Sequence, residues 1–158
     1  MEKMMPLDVL NNVSEIDIVY KRKVVCKASE RPVVQSSQDG YQIAKHYWNE
    51  DKMELLEEFK VLFLSRANRV LQLFSVSQGG ITATVADPRL IFGAAIRVAA
   101  CSMILVHNHP SGSLTPSRQD EELTNKIKEG AKYFDIKVLD HLIISSEGYY
   151  SFADEGLL

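Results

Sequence analysis

The chain has 158 residues, 46 % of them hydrophobic and 25 % charged, with a formal net charge of −3. That is enough for one domain with a real core, and it gives no global electrostatic case for nucleic acid or an anionic membrane. No apolar run approaches the roughly 20 residues that span a bilayer, and residues 1–11 are too short and too weakly apolar for a signal peptide. Cys26 and Cys101 lie far apart and form no C-x-x-C pair, which suggests reduced thiols in a cytoplasmic protein.

Residues 1–12 read as a loose N-terminal arm, and residues 16–20 as the start of a strand. Residues 20–31 are locally basic, as on a solvated, charge-protected edge strand. A nucleic-acid contact there would lack the interleaved aromatics that support one. Ser36 or Ser37 can cap a helix from Gln38 to about Asp51, with Tyr41, Ile43, Ala44, Tyr47 and Trp48 as its apolar stripe. Residues 57–64 and 70–76, joined by a short turn, predict a hairpin. Gln78, Gly79 and Gly80 break the chain. Asp87 before Pro88 opens a second helix, with Leu90, Ile91, Ala94, Ala95, Val98 and Ala99 as its buried face.

Residues 102–106 are continuously apolar, as in a central strand covered on both faces. A turn follows at residues 110–113. Ser117 then starts a helix with Leu123, Ile127, Ala131 and Phe134 at helical spacing, and residues 136–145 and 149–152 read as strands. No repeat or second core is evident, so one mixed α/β domain is the economical reading.

The chemistry concentrates after the central strand, in H-x-H-P-x6-S-x2-D: His107, His109, Pro110, Ser117 and Asp120. Side chains alternate along an extended segment, so the two imidazoles share one side. A turn and a helix start can bring Asp120 back to the same point. Two nitrogens and one oxygen leave the fourth position of a tetrahedral ion open, the layout of a catalytic zinc site. Each element has a plainer reading. Ser117-x-x-Asp120 resembles a capping box with aspartate in the place of glutamate, and an isolated H-x-H is a weak signal. His46 reads as a surface or core residue of the first helix. His141 can line the cleft or be a satisfied core histidine.

His107, His109, Pro110, Ser117 and Asp120 match the signature of JAMM/MPN-type metal-dependent hydrolases. His107 to Gly112, Pro116, Thr124, Asp87-Pro88-Arg89, Asp140-His141 and Tyr150-Ser151-Phe152 are similar to the RadC-like branch (the JAB domain). The resemblance covers residues 54–158, after an N-terminal arm, strand and helix over residues 1–53. It implies a three-layer α/β/α domain with a mixed sheet, close to the cytidine-deaminase-like architecture. It also implies zinc on His107, His109 and Asp120, with Ser117 stabilising an oxyanion. The family's upstream glutamate falls at Glu57 or Glu58. Period two sets Glu57 on the face of Phe59 and Val61, which favours it.

The chain lacks the paired glycine-hairpin signature of the helix-hairpin-helix module that RadC-like proteins often carry. The expected function is a zinc-dependent hydrolase, a metallopeptidase or isopeptidase acting on a peptide or protein. The alternative is a DNA-associated accessory protein in repair or recombination, with a structural or vestigial metal. Salt-dependent DNA binding separates the two. No membrane partner is expected.

Overall fold

The computed structural model describes residues 26–79 and 86–158. The expected arm, the strand at 16–20 and the first half of the basic segment lie outside these residues. Five strands form one sheet in the order β2-β1-β3-β4-β5. They are β1 Glu58–Leu64, β2 Val70–Gln78, β3 Ser102–Asn108, β4 Lys137–Ile144 and β5 Tyr149–Ser151. The β3–β4 pair is parallel and the other three are antiparallel, so the sheet is mixed. The helices are α1 Ser37–His46, α2 Glu50–Met53, α3 Pro88–Arg97 and α4 Arg118–Lys132.

Side-chain alternation on β1 and β3 divides the interior into two cores. Phe59, Val61, Phe63, Met103 and Leu105 face α3 and α4, against Ile91, Ala95, Ile127 and Ala131. Leu62, Leu64, Ile104 and Val106 face the other way, against Ala44, Trp48 and Met53 of the α1–α2 region. Helices therefore cover both faces, which gives the expected α/β/α layering. Strand β3 occupies the middle of the sheet and every one of its residues is buried, as its unbroken apolar run requires.

The hairpin turns through Asn68, whose φ of 53° lies in the left-handed region that asparagine tolerates. Its turn is stitched to the chain ahead of α1: Val34 N donates to Asn68 O and Val70 N to Pro32 O, both at 2.9 Å. Asp87 caps α3 through Arg89 N, and Pro88 opens that helix as the dipeptide predicts.

Three local expectations are corrected. The helix expected over residues 38–51 is two helices. α1 ends at His46, and the Asn49 side chain accepts from Asp51 N to start α2. The break turns Trp48 into the core, at 4 % exposure, and leaves Tyr47 outside, at 60 %. On α3 only Ile91 and Ala95, one turn apart, are fully buried. Leu90 is exposed, and so is Ala99, which lies beyond the helix at φ 52°. Phe134 follows the end of α4 and is half exposed, packing on Phe92 at 5.2 Å between ring centroids.

Candidate metal centre

Strand β3 ends in His107-Asn108, and alternation sends these side chains to opposite faces. His107 shares the face of Met103 and Leu105, next to the first turn of α4. His109, just past the strand, points back to the same place: the Nε2 atoms of the two histidines stand 2.9 Å apart. After the turn, in which Gly112 takes a φ of 78°, the chain enters α4 with Ser117 as its N-cap. The third residue of that helix is Asp120. Its Oδ1 lies 3.1 Å from His107 Nε2 and its Oδ2 3.6 Å from His109 Nε2. The ligand-type atoms of His107, His109 and Asp120 all lie within 4.8 Å of one another.

Asp120 forms the capping box and also stands beside the two histidines. Oδ2 accepts from Ser117 N and Ser117 Oγ, each at 2.7 Å, while Ser117 Oγ accepts from Asp120 N at 3.2 Å. The cap holds the carboxylate so that Oδ1 faces His107. Ser117 is therefore engaged with Asp120 in this structure.

Hydrogen-bond direction settles which ring nitrogens carry protons. His109 Nδ1 is 2.8 Å from the Ser113 carbonyl, which can only accept, so Nδ1 carries a proton and Nε2 is the ring atom that faces His107 and Asp120. Behind His107, its Nδ1 lies 2.8 Å from Nε2 of His141, a fully buried residue. Burial keeps the His141 pKa well below the ordinary histidine value, so the ring is neutral.

The donor set fits a small divalent ion. The two Nε2 atoms are 2.9 Å apart, and the Asp120 carboxylate meets them through Oδ1, 3.1 Å from His107, and Oδ2, 3.6 Å from His109. A tetrahedral ion with bonds of about 2.0–2.1 Å spaces its ligands about 3.3–3.4 Å apart, inside that range. Their electrostatics match. Hydrogen bonding to Asp120 raises the His109 pKa, with burial opposing and the Ser113 carbonyl and the charge of Glu57 adding to it. Burial pushes the Asp120 carboxyl up, but the two imidazoles outweigh it and hold the group far below the usual carboxylate range. Asp120 thus stays ionised beside the two imidazoles.

Glu57 immediately precedes β1, half buried, and its carbonyl accepts from Gly79 N at 2.8 Å. Its charge reaches His109. Glu58 is turned away, with Oε2 3.2 Å from Lys60 Nζ, which itself lies 4.2 Å from the Trp48 ring centroid on the α1–α2 side. His46 is exposed at the end of α1 and takes no part.

Two neighbours were not legible as functional. Asn108, between the two histidines, is fully buried. Its Oδ1 accepts from Glu58 N at 2.8 Å, and its Nδ2 donates to the carbonyls of Met53 and Leu56 at 2.7 and 2.9 Å. Thr124 lies one helical turn after Asp120, its Oγ1 2.6 Å from His141 Nδ1. A polar residue four positions past Asp120 on an otherwise apolar helix face was the available signal for Thr124.

Residues 34–157 match the family model described as the RadC-like JAB domain. The chain is similar to a UPF0758 protein of Flavobacterium johnsoniae, 50 % identical over 101 residues, which are 64 % of this chain and 44 % of that one. A UPF0758 protein of Porphyromonas gingivalis is 45 % identical over 103 residues, 65 % of this chain and 45 % of the relative. One of Syntrophomonas wolfei is 36 % identical over 138 residues, 87 % of this chain and 59 % of the relative. The chain spans about half the length of the curated relatives it matches. Among the described residues, no helix is long and apolar enough to cross a membrane.

Proposed function

Since the chain belongs to the RadC-like JAB-domain family, we propose that it is a zinc-dependent hydrolase that cleaves a peptide or isopeptide amide. One observation carries the reading: two imidazole Nε2 atoms and a carboxylate converge at the end of the central strand, with Glu57 within electrostatic reach of His109. His107 Nε2, His109 Nε2 and Asp120 Oδ1 would hold the ion. When bound, zinc supplies Lewis acidity and makes water acidic enough to ionise near neutral pH.

The chain's own residues do the rest. Glu57 takes the proton of the attacking water and returns it to the departing amine, the ordinary duty of a carboxylate that is not a ligand. The turn of Glu58 towards Lys60 leaves Glu57 as the carboxylate on the His109 side. Ser117 orients Asp120 through Oδ2 and becomes the oxyanion donor by rotating its hydroxyl away from that oxygen. A cytoplasmic setting is part of the same reading.

Metal content by elemental analysis, with turnover of peptide and isopeptide substrates, tests this. Native protein should carry about one zinc per chain, and Asp120→Ala none. Glu57→Gln should keep the zinc and lose at least about 100-fold in kcat, the range of a removed general base. Native protein that takes up no zinc, or a fully active Glu57→Gln, would reject the assignment.

A further inference from the structure

A chain of buried polar groups runs behind the ligands. Thr124 Oγ1 is 2.6 Å from the backbone carbonyl of Asp120 and 2.6 Å from His141 Nδ1. A carbonyl only accepts, so the single hydroxyl proton of Thr124 goes to Asp120 O. Thr124 must then accept at its other contact, which places the His141 proton on Nδ1. His141 is fully buried, and its two ring contacts are a hydroxyl and another imidazole, with no carboxylate to support a second proton. Its Nε2 is therefore a lone pair, and the 2.8 Å contact with His107 is donated by His107 Nδ1.

We propose that Thr124 and His141 are positioning residues that hold a proton on His107 Nδ1, so that Nε2 is the atom the ring offers towards Asp120 and His109. The inference rests on reading His107 as a metal ligand, and adds what makes it one. In the opposite tautomer a proton would occupy Nε2, the atom 3.1 Å from Asp120 Oδ1. The relay starts at the carbonyl of one ligand and ends on the ring of another, so the helix turn bearing Asp120 also sets the proton on His107. The rings behind it are fixed. Phe152 stacks on His141 at 4.7 Å between centroids and Phe59 meets its edge at 5.6 Å. Thr124 is 1 % exposed and His107 1 %, which leaves little access for water to substitute as a partner.

The test reads the protons on each histidine nitrogen by long-range nitrogen–proton NMR on zinc-free protein in mildly alkaline buffer. Native protein should show His107 and His141 both protonated at Nδ1. Thr124→Val keeps the shape but removes the acceptor, and should shift His141 and then His107 towards Nε2 protonation. Thr124→Ser should restore the native pattern. In zinc titrations, Thr124→Val should bind about 10–100-fold more weakly than native or Thr124→Ser, the usual effect of losing a partner behind a ligating histidine.

A His107 Nδ1 without a proton in native protein overturns the relay without any variant. So does a Thr124→Val protein with native tautomers and native zinc affinity. The tautomers are read with no metal present, so failure of the relay is distinct from failure of the zinc reading, which the elemental analysis of native protein reports.

Discussion

Asn108 Oδ1 accepts the backbone N–H of Glu58 at 2.8 Å, and this bond ties the strand that presents the histidines to the segment that carries Glu57. The same carboxamide donates to Met53 O and Leu56 O, so one side chain spans the turn between α2 and β1. Alternation makes this possible: Asn108 points to the α1–α2 side because its two histidine neighbours point to the α4 side.

Asn108→Ala should therefore cost about 2–4 kcal/mol in denaturant unfolding, since it leaves one buried donor and two carbonyls without their partner. Zinc stoichiometry should be retained, because the two histidine side chains point to the opposite face from Asn108, while turnover should fall with the displacement of Glu57. A stability loss under about 0.5 kcal/mol, the ordinary surface range, would show the clamp to be inert.

Asp120 serves as cap with one oxygen and faces His107 with the other, and two substitutions separate these duties. Asp120→Asn retains an oxygen for Ser117 N and should change stability by less than about 1 kcal/mol, yet weaken zinc binding strongly by removing the charge. Ser117→Ala removes the hydroxyl that accepts from Asp120 N and should cost about 0.5–2 kcal/mol, the value of a lost N-cap. Thermal melts with and without zinc check both. Undiminished zinc affinity in Asp120→Asn would mean that the carboxylate acts only as a cap.

Zinc itself should stabilise the fold. At a free concentration about 100 times Kd, a ligand that binds only the native state adds about 2.7 kcal/mol. Native Tm should rise with added zinc and fall back with a chelator, and His109→Ala should show neither response. Equal zinc-induced shifts in native and His109→Ala protein would place the binding elsewhere.

Asp140 should give the fold a pH dependence apart from that of His107, His109 and Asp120. Burial raises its pKa, against the opposing hydrogen bonds from Ser151 Oγ at 2.6 Å and from the backbone N–H groups of Ala153 and His141, and nearby Asp154 raises it further. The folded value lies above the unfolded one of about 3.9. The stability linked to this group is therefore complete below that pH and lost as pH rises through the folded value. Asp140→Asn mimics the protonated form, so it should gain stability relative to native between about pH 4 and 7. An unchanged difference between the two proteins across urea titrations in that interval would show that Asp140 does not titrate abnormally.

Much of this site was written locally. The strand at residues 102–106, the Asp87-Pro88 helix start and the H-x-H-P-x6-S-x2-D spacing each depend on neighbours in the chain, through period-two alternation, proline geometry and capping. They sufficed to set His107, His109 and Asp120 around one point, and to make Ser117 a cap. Even Glu57 against Glu58 was framed by strand parity, which β1 follows in sending Glu58 to Lys60.

What the sequence could not carry is any choice made by a partner far along the chain. The helix expected over residues 38–51 breaks because burying Trp48 and starting a new cap at Asn49 compete successfully with continuing one helix, and propensity alone does not see the sheet that rewards it. His141 had two open readings until the parallel pairing of β3 with β4 set it behind His107. The proton positions on both rings then follow from a hydroxyl on α4 that no local pattern links to either strand. Sequence determined which atoms can ligate, because that is a property of residue type and short spacing. Tertiary structure decided which nitrogen each ring presents, because a tautomer is fixed by whatever touches the other side of the ring.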